Sequence, residues 1–437
     1  MRGMARVVVI GGGLGGSAAA ARLAKLGHRV TLVERLDHVG GALGFVESDG
    51  YRWDSGPTAT ALPAVLRDLF RKSGRPLERE LELVPLDPMR EHRFEDGSVL
   101  PLPSGSRAAQ HEAIESTLGA GLGDRWLDYT HGFADTWNLL RRDYLERPWS
   151  PEHASRETRA VLSSRTSLHK QVTRAFKDER LRALAWHDAV IGGHDPRNVP
   201  AWAGMTSYVE QNFGLWTVPD GMGAFGAALA KRLAERRVDV RLGTTVGDIV
   251  LDHGRAVGVE TDEGTIDAEV VVCAIDPRRL PSLEATVRRT MPAMPPVVSH
   301  LGLRGDVPDL PHEVVLHGDP LIVVRTNGSA PAGGAAWTLL GRGRIAEDLV
   351  TALARRGVDV RDLVEVRVDR SPKDIVETWG GSPYGVLWQG RATVEHRAGT
   401  SSPWPNVFCA GAHAAPGAGV PFVGLGAALV AQAVGKA

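Results

Sequence analysis

Glycines 11, 13 and 16 stand between a short apolar run, Val7 to Ile10, and an alanine-rich segment from Ser17 to Leu26. This order is that of a nucleotide-binding unit: buried strand, G-x-G-x-x-G turn, helix. The first glycine makes the tight turn and the second lets a pyrophosphate approach bare backbone. The third lets helix and strand pack closely, so that the helix N-terminus faces the phosphates. Gly27 suits the end of the helix, Val30 to Val33 reads as a second strand, and Glu34 comes next, where a carboxylate can accept hydrogen bonds from ribose hydroxyls. A glycine motif alone is weak, but strand, glycines, helix, strand and acid in sequence predict a Rossmann-like α/β unit. The unit does not by itself separate NAD from FAD.

The segments beyond Glu34 make that distinction. A second glycine pair, Gly40-Gly41, comes a few residues after the acid, and a strand leads to the turn Asp54-Ser55-Gly56-Pro57-Thr58. Further on stand GLWTVPDGMGAFGAAL, then VVVCAIDP, and near the end NVFCAGAHAAPGAGVPFVGLGAALVAQAV. Together and in this order these segments resemble the phytoene desaturase branch of the flavin amine oxidase superfamily. The resemblance implies FAD as cofactor. It assigns contacts to Gly11, Gly13, Leu14, Gly15, Gly16, Glu34, Arg35, Gly40, Gly41, Ala42, Gly56, Pro57 and Thr58. It adds Val246, whose backbone would meet the adenine, and Gly411, Gly419, Val420 and Pro421 on the flavin side. There a second helix N-terminus would face the pyrimidine side of the flavin and stabilise its anionic reduced form by about 1 kcal/mol. Three departures from the family pattern touch the substrate side: Ala42 stands where Arg is frequent, Ala414-Ala415 replaces Thr-His, and Phe422 occupies a position where Gly is common.

The expected architecture is a discontinuous Rossmann-like FAD domain (1–76, 218–280 and 404–437) with an inserted α+β substrate domain (77–217 and 281–403). Strand-like runs are read at Val238–Leu242, Ile249–Leu251, Ala256–Thr261, Thr265–Ala274 and Val407–Ala410. In the insertions, helical patterns cover Trp126–Leu145, Ser167–Val190 and Ile345–Arg355, and strand-like runs cover Val314–Leu316 and Leu321–Val324.

Charge is nearly balanced, with 51 basic and 52 acidic side chains, so no global field argues for nucleic acid. Cys273 and Cys409 lie in apolar runs and read as buried core, and the fifteen histidines form no ligand-spaced cluster, so no metal is expected. The first apolar run is the strand before the glycines, not a leader, and no apolar stretch reaches the roughly 20 residues of a membrane span. The expected location is cytoplasmic, with at most peripheral membrane contact. The basic stretch Arg165–Arg182 is interrupted by Asp178 and Glu179 and reads as a solvated face.

The expected activity is removal of hydride from a hydrophobic isoprenoid, polyene or polyketide-like molecule by FAD, with oxygen or a quinone as electron acceptor. A redox-neutral isomerase or cyclase, an amine oxidase, and a flavin-bound ligand carrier are the alternatives. No catalytic side chain is identified. Arg90, His92, Arg93, His169, His187 and His194 read as surface or structural groups, and Trp126, Trp137, Trp186, Trp202 and Trp216 as packing residues, because nothing ties them together in sequence.

Overall fold

In the computed structural model, which describes residues 3–437, β1 (Arg6–Ile10) divides its side chains between two cores. Val7 and Val9 face a cluster with α1 (Leu14–Lys25), whereas Val8 and Ile10 face a second cluster on the other side of the sheet. The two-residue period of a strand dictates this split. Ala18 to Ala21 are fully buried, and their small side chains let α1 lie close against both the sheet and the closing helix Val420–Val434.

β2 (Arg29–Val33) pairs in parallel with β1, Val7 opposite Val30, and the strand Val270–Cys273 pairs on the other side, Val7 opposite Val270. With Asp239–Arg241 and Val407–Cys409 at the edges, one five-stranded parallel sheet is built from three separate stretches of chain. The chain order reverses direction at β1, so the crevice at its carboxyl end is where a dinucleotide fits. A three-stranded antiparallel sheet (Val246–Asp252, Arg255–Thr261, Gly264–Asp267) covers the face away from α1.

A seven-stranded mixed sheet forms the second layer system, drawn from residues 90–102 and 297–370. The helix Leu349–Arg355 packs on one face of it. The hairpin of β3 (Phe45–Ser48) and β4 (Tyr51–Asp54) docks on it, with Trp53 Nε1 donating to the carbonyl of Leu301 at 3.2 Å. Asp54 joins three parts of the chain. Its carboxylate caps the helix Gly223–Glu235 through the amides of Met222 and Gly223 (3.1 and 2.8 Å) and accepts from Asn327 at 2.7 Å. Helices between residues 107 and 213 pack around an aromatic core that includes Trp126, Tyr129, Phe133 and Trp137.

Several expected elements are divided. Thr265–Ala274 is two strands in different sheets, Gly264–Asp267 and Val270–Cys273. Ile266 and the buried Ala268 carry the alternating pattern up to Val270, so the run gives no sign of the break. Trp126–Leu145 breaks at Gly132, and Ser167–Val190 breaks before Asp178, whose carboxylate caps the next helix through Arg180 and Leu181. The helix expected from Ile345 starts at Leu349, because Asp348 caps it. The segment Pro281–Val287 packs its Leu283 and Val287 with Val8 and Ile10, on the dinucleotide side of the molecule. Conversely, β3 and β4 pack on the seven-stranded sheet.

Candidate functional site

A cavity of about 330 Å³ opens at the carboxyl end of β1. Its near wall is backbone. Gly11 adopts φ +99°, and its amide donates to the Val33 carbonyl, fixing the turn between β1 and β2. A Cβ on Gly16 would lie 1.9 Å from the Gly11 carbonyl oxygen, so only glycine permits this approach of α1 to β1. At Gly13 a Cβ would meet nothing within 4 Å: this glycine presents bare backbone to open space. Gly40 donates to the Gly12 carbonyl at 2.9 Å, and Gly41 lies against Gly13, so the second glycine pair is seated directly on the first turn.

Glu34 lines the same cavity. Its Oε2 accepts from the Gly12 amide (2.5 Å) and its Oε1 from the Leu36 amide (2.8 Å). Each carboxylate oxygen has further accepting capacity, so Glu34 both braces the glycine turn and offers acceptors to a sugar. Val298, His300, Thr338 and Leu340 of the seven-stranded sheet form the roof. His300 Nδ1 pairs with the Thr338 hydroxyl at 2.9 Å, and burial pulls its pKa to about 4, so it is neutral. Amides at the start of α1 that border the cavity with no side-chain cap, a carboxylate after β2 and a cavity free of side-chain bulk at Gly13 form a set that fits a dinucleotide.

A second cavity, about 390 Å³, adjoins the first; Pro57, Arg325, Tyr384, Ala418, Gly419 and Val420 border both. The closing helix begins at this boundary, with Gly419 at φ +101° and Pro421 in its first turn. One part of this chamber is apolar, with Leu62, Leu145, Leu168, Val199, Trp202 and Phe422. Another part is a chain of buried charges. Arg90 donates Nη1 and Nη2 to Glu210 (2.7 and 2.8 Å) and Nε to Glu313 (2.7 Å). Arg325 donates Nε to Glu313 (2.8 Å) and Nη1 to the Gly56 carbonyl (3.1 Å). Burial, opposed by Arg90 and assisted by Asp188 and Glu313, lifts Glu210 to about 7. Burial pushes Glu313 upward too, but Arg325 and Arg90 outweigh it and hold it far below the carboxylate range. His187 lies beside these groups, and burial holds it near 4.

Of the residues named from sequence, Gly11, Gly13, Leu14, Gly15, Glu34, Gly40, Gly41, Ala42, Gly56, Pro57, Gly411, Gly419 and Val420 line the first cavity. Thr58 and Pro421 line the chamber instead, and Pro57, Gly419 and Val420 border both. Gly16 lies behind the turn, against Gly11. Arg35 points away, donating to the carbonyls of Glu377 and Thr378, and Val246 sits in its strand opposite Thr261. Arg90, His187 and His194, which read as structural in sequence, line the chamber. His92 pairs with His317 at 2.9 Å, Arg93 pairs with Glu91, and His169 stacks on Trp186 at the surface. Asp188, Glu210, Glu313 and Arg325 escape a reading of sequence alone. They come from separate helices and strands, and none carries a local motif; the alternation of charge within β-branched runs around Glu313 and Arg325 is the one available hint.

Comparison with known proteins places this geometry. A family model described as flavin containing amine oxidoreductase matches residues 14–434. A phytoene desaturase (neurosporene-forming) of Cereibacter sphaeroides is 35% identical over 268 residues, 60% of this chain and 51% of that one. The chain thus spans about half the length of the first curated relatives it matches. A 4,4'-diapolycopene oxygenase of Methylomonas sp is 27% identical over 485 aligned residues, 97% of each chain. Among solved structures, putrescine oxidase bound to putrescine superposes with a TM-score of 0.70 at 16% identity, covering 99% of this chain and 98% of that one, a likeness of fold.

Proposed function

Since this chain belongs to the flavin containing amine oxidoreductase family, with FAD as its cofactor, we propose that it is an oxidoreductase removing hydride from a hydrophobic isoprenoid, polyene or polyketide-like molecule. One observation carries the reading: a dinucleotide cradle opens, through Pro57, Arg325, Tyr384 and Ala418 to Val420, into a chamber with a large apolar wall. The curated relatives named for phytoene desaturation and diapolycopene oxygenation support it.

Bound FAD supplies the hydride acceptor. The protein supplies position and surroundings. The amides at the start of α1 would receive the pyrophosphate, with Gly13 offering no side chain in the way, and Glu34 would accept from the adenosine ribose. The backbone from Gly411 to Val420 and the first amides of the closing helix border the junction of cradle and chamber and would hold the flavin ring system there. Their dipole favours negative charge there. Leu62, Leu168, Trp202 and Phe422 exclude water from the substrate carbon skeleton. The electron acceptor is oxygen or a quinone in this proposal; residues 1–76, 218–280 and 404–437 supply the sheet and turns of the cradle, and 77–217 and 281–403 most of the chamber wall, with Val298, His300, Thr338 and Leu340 crossing over to roof the cradle.

Purified protein should be yellow. Anaerobic addition of a polyene substrate should bleach the oxidised flavin band, with a product two hydrogens lighter by mass spectrometry. A product of unchanged mass without bleaching would make the enzyme an isomerase. Absence of bleaching and of any product with every polyene, isoprenoid and polyketide tried would reject the reading. Among the described residues no helix is long and apolar enough to cross a membrane.

A further inference from the structure

The charged wall of the chamber is not closed upon itself. Arg90 directs its donors to Glu210 and Glu313, and Arg325 directs its own to Glu313 and the Gly56 carbonyl. Asp188, on the helix Glu179–Ile191, also lines the chamber, yet its nearest cation is Arg90 Nη2 at 3.8 Å, outside hydrogen-bond reach. Its carboxylate is half-buried, with 35% of the side chain accessible. The adjacent His187 is 5% exposed, borders the same chamber, and has its Nδ1 without a hydrogen-bond partner. An anion that faces an apolar enclosure without a donor is costly, and a ligand that brings one relieves that cost.

We propose that the substrate carries a hydroxyl group on its apolar skeleton and that Asp188 accepts its hydrogen bond. The proposal rests on the reading of the chamber as the substrate site. Charge decides the class of group. A carboxylate or phosphate would meet Asp188, Glu210 and Glu313; an ammonium at Asp188 would stand beside Arg90, whose Nη2 is 3.8 Å from that carboxylate. A neutral donor meets neither repulsion, and it leaves the Arg90 and Arg325 pairs intact. A hydrocarbon without any donor would cover Asp188 and leave it with no hydrogen bond, which selects against it even though the opposite wall suits it.

The test uses FAD-loaded protein and three probes of one carbon skeleton: farnesol, farnesene and farnesylamine. Binding is read from the perturbation of the flavin spectrum. Farnesol should bind at least about tenfold more tightly than farnesene, the ratio expected for one hydrogen bond to a charged group. Asp188→Ala should bring that ratio close to one, while Asp188→Asn, which keeps a neutral accepting oxygen, should retain part of it. Thermal unfolding of the variants with FAD bound checks that they are folded, and Asp188→Leu, which also lacks an acceptor, replaces the alanine variant if that one is lost. Equal affinity of farnesol and farnesene in the unaltered protein overturns the proposal, as does a preference that survives Asp188→Ala. Tighter binding of farnesylamine than of farnesol replaces the hydroxyl with a cation. If none of the three perturbs the flavin, the assignment of the chamber itself fails, which is a different outcome from equal binding of two of them.

Discussion

The cradle and the chamber share a wall but are made from different material. Around the cradle every determining contact has a main-chain partner: Gly40 on Gly12, Gly16 on Gly11, and the amides of Gly12 and Leu36 on the Glu34 carboxylate. All of them fall between Gly11 and Gly41 in sequence. Around the chamber they are side-chain ones, and the chain Glu210–Arg90–Glu313–Arg325 joins a helix and three strands spread over residues 90–325. Main-chain approach demands glycine at fixed spacing. Side-chain convergence demands only that each residue lie at the right place in three dimensions, which leaves no local spacing to read.

The sharpest way to break this comparison is to add side chains to the cradle. Gly16→Val should abolish folding, because even a Cβ there overlaps the Gly11 carbonyl; little soluble protein is expected on expression. Gly13→Val should fold, since space is open around that Cβ, yet be colourless because the branch occupies the phosphate path. Circular dichroism and the flavin spectrum distinguish the two, and a yellow Gly13→Val would remove Gly13 from the site.

In the chamber the corresponding cut is Arg90→Leu. It leaves Glu210 and Glu313 short of their shared cation, at a cost of about 3–5 kcal/mol in unfolding free energy. A chemical-denaturation midpoint unchanged from the unaltered protein would show that the charge chain is not a structural unit.

Glu34→Ala belongs to the cradle again and is milder. Loss of hydrogen bonds to a charged group costs about 1.5–3 kcal/mol, or roughly ten- to a hundredfold in FAD affinity, measured by titrating apo-protein. Because Glu34 also holds the amides of Gly12 and Leu36, some loss of stability should accompany it. Phe422→Ala should cost less than about 3 kcal/mol, the ring being only half-buried, and should widen the range of bulky substrates accepted while FAD remains bound. An identical product profile would reduce Phe422 to packing against the helical core.

The smallest effect is on pH. Glu210, lifted to about 7 from an ordinary 4.5, stabilises the fold at low pH, a contribution lost as pH rises through about 7. His187 and His194, held near 4, act in the opposite sense, and their contribution is lost as pH falls below the ordinary 6.5 toward 4. Glu210→Gln removes the first trend alone, so stability should fall more steeply on acidification from about pH 7 than in the unaltered protein. Equal slopes in denaturation series would show that Glu210 is ionised throughout.

The parallel sheet, its glycine turn, Glu34 and the late return of the chain at Val407 are legible because each has a periodic or compositional signature. Val246 and Arg35 carry no such signature of their own and lie outside the first cavity, Arg35 having found carbonyl partners on a distant helix. His187 reads as structural because an isolated histidine is indistinguishable from a core one until its neighbours Arg90, Glu313 and Asp188 are seen in space. Trp202 reads as packing and is both: buried in the helical core and bordering the chamber. The run Thr265–Ala274 shows the same limit for backbone, since two strands in succession with no Gly or Pro between them look like one.

The late return governs how the protein is made. β1 and α1 are translated well before Gly411, the edge strand Val407–Cys409 and the helix that covers α1. At about 5–20 residues per second, roughly 20–80 s separate the two events on the ribosome. Throughout that interval Val7, Val9 and the Ala18–Ala21 face lack much of the cover they have in the finished molecule, and the cradle is a half-shell. The cavity that receives FAD can close only after the helix Val420–Val434 has left the exit tunnel. In a translation reaction containing FAD, protease-resistant protein should therefore appear only once full-length chains do.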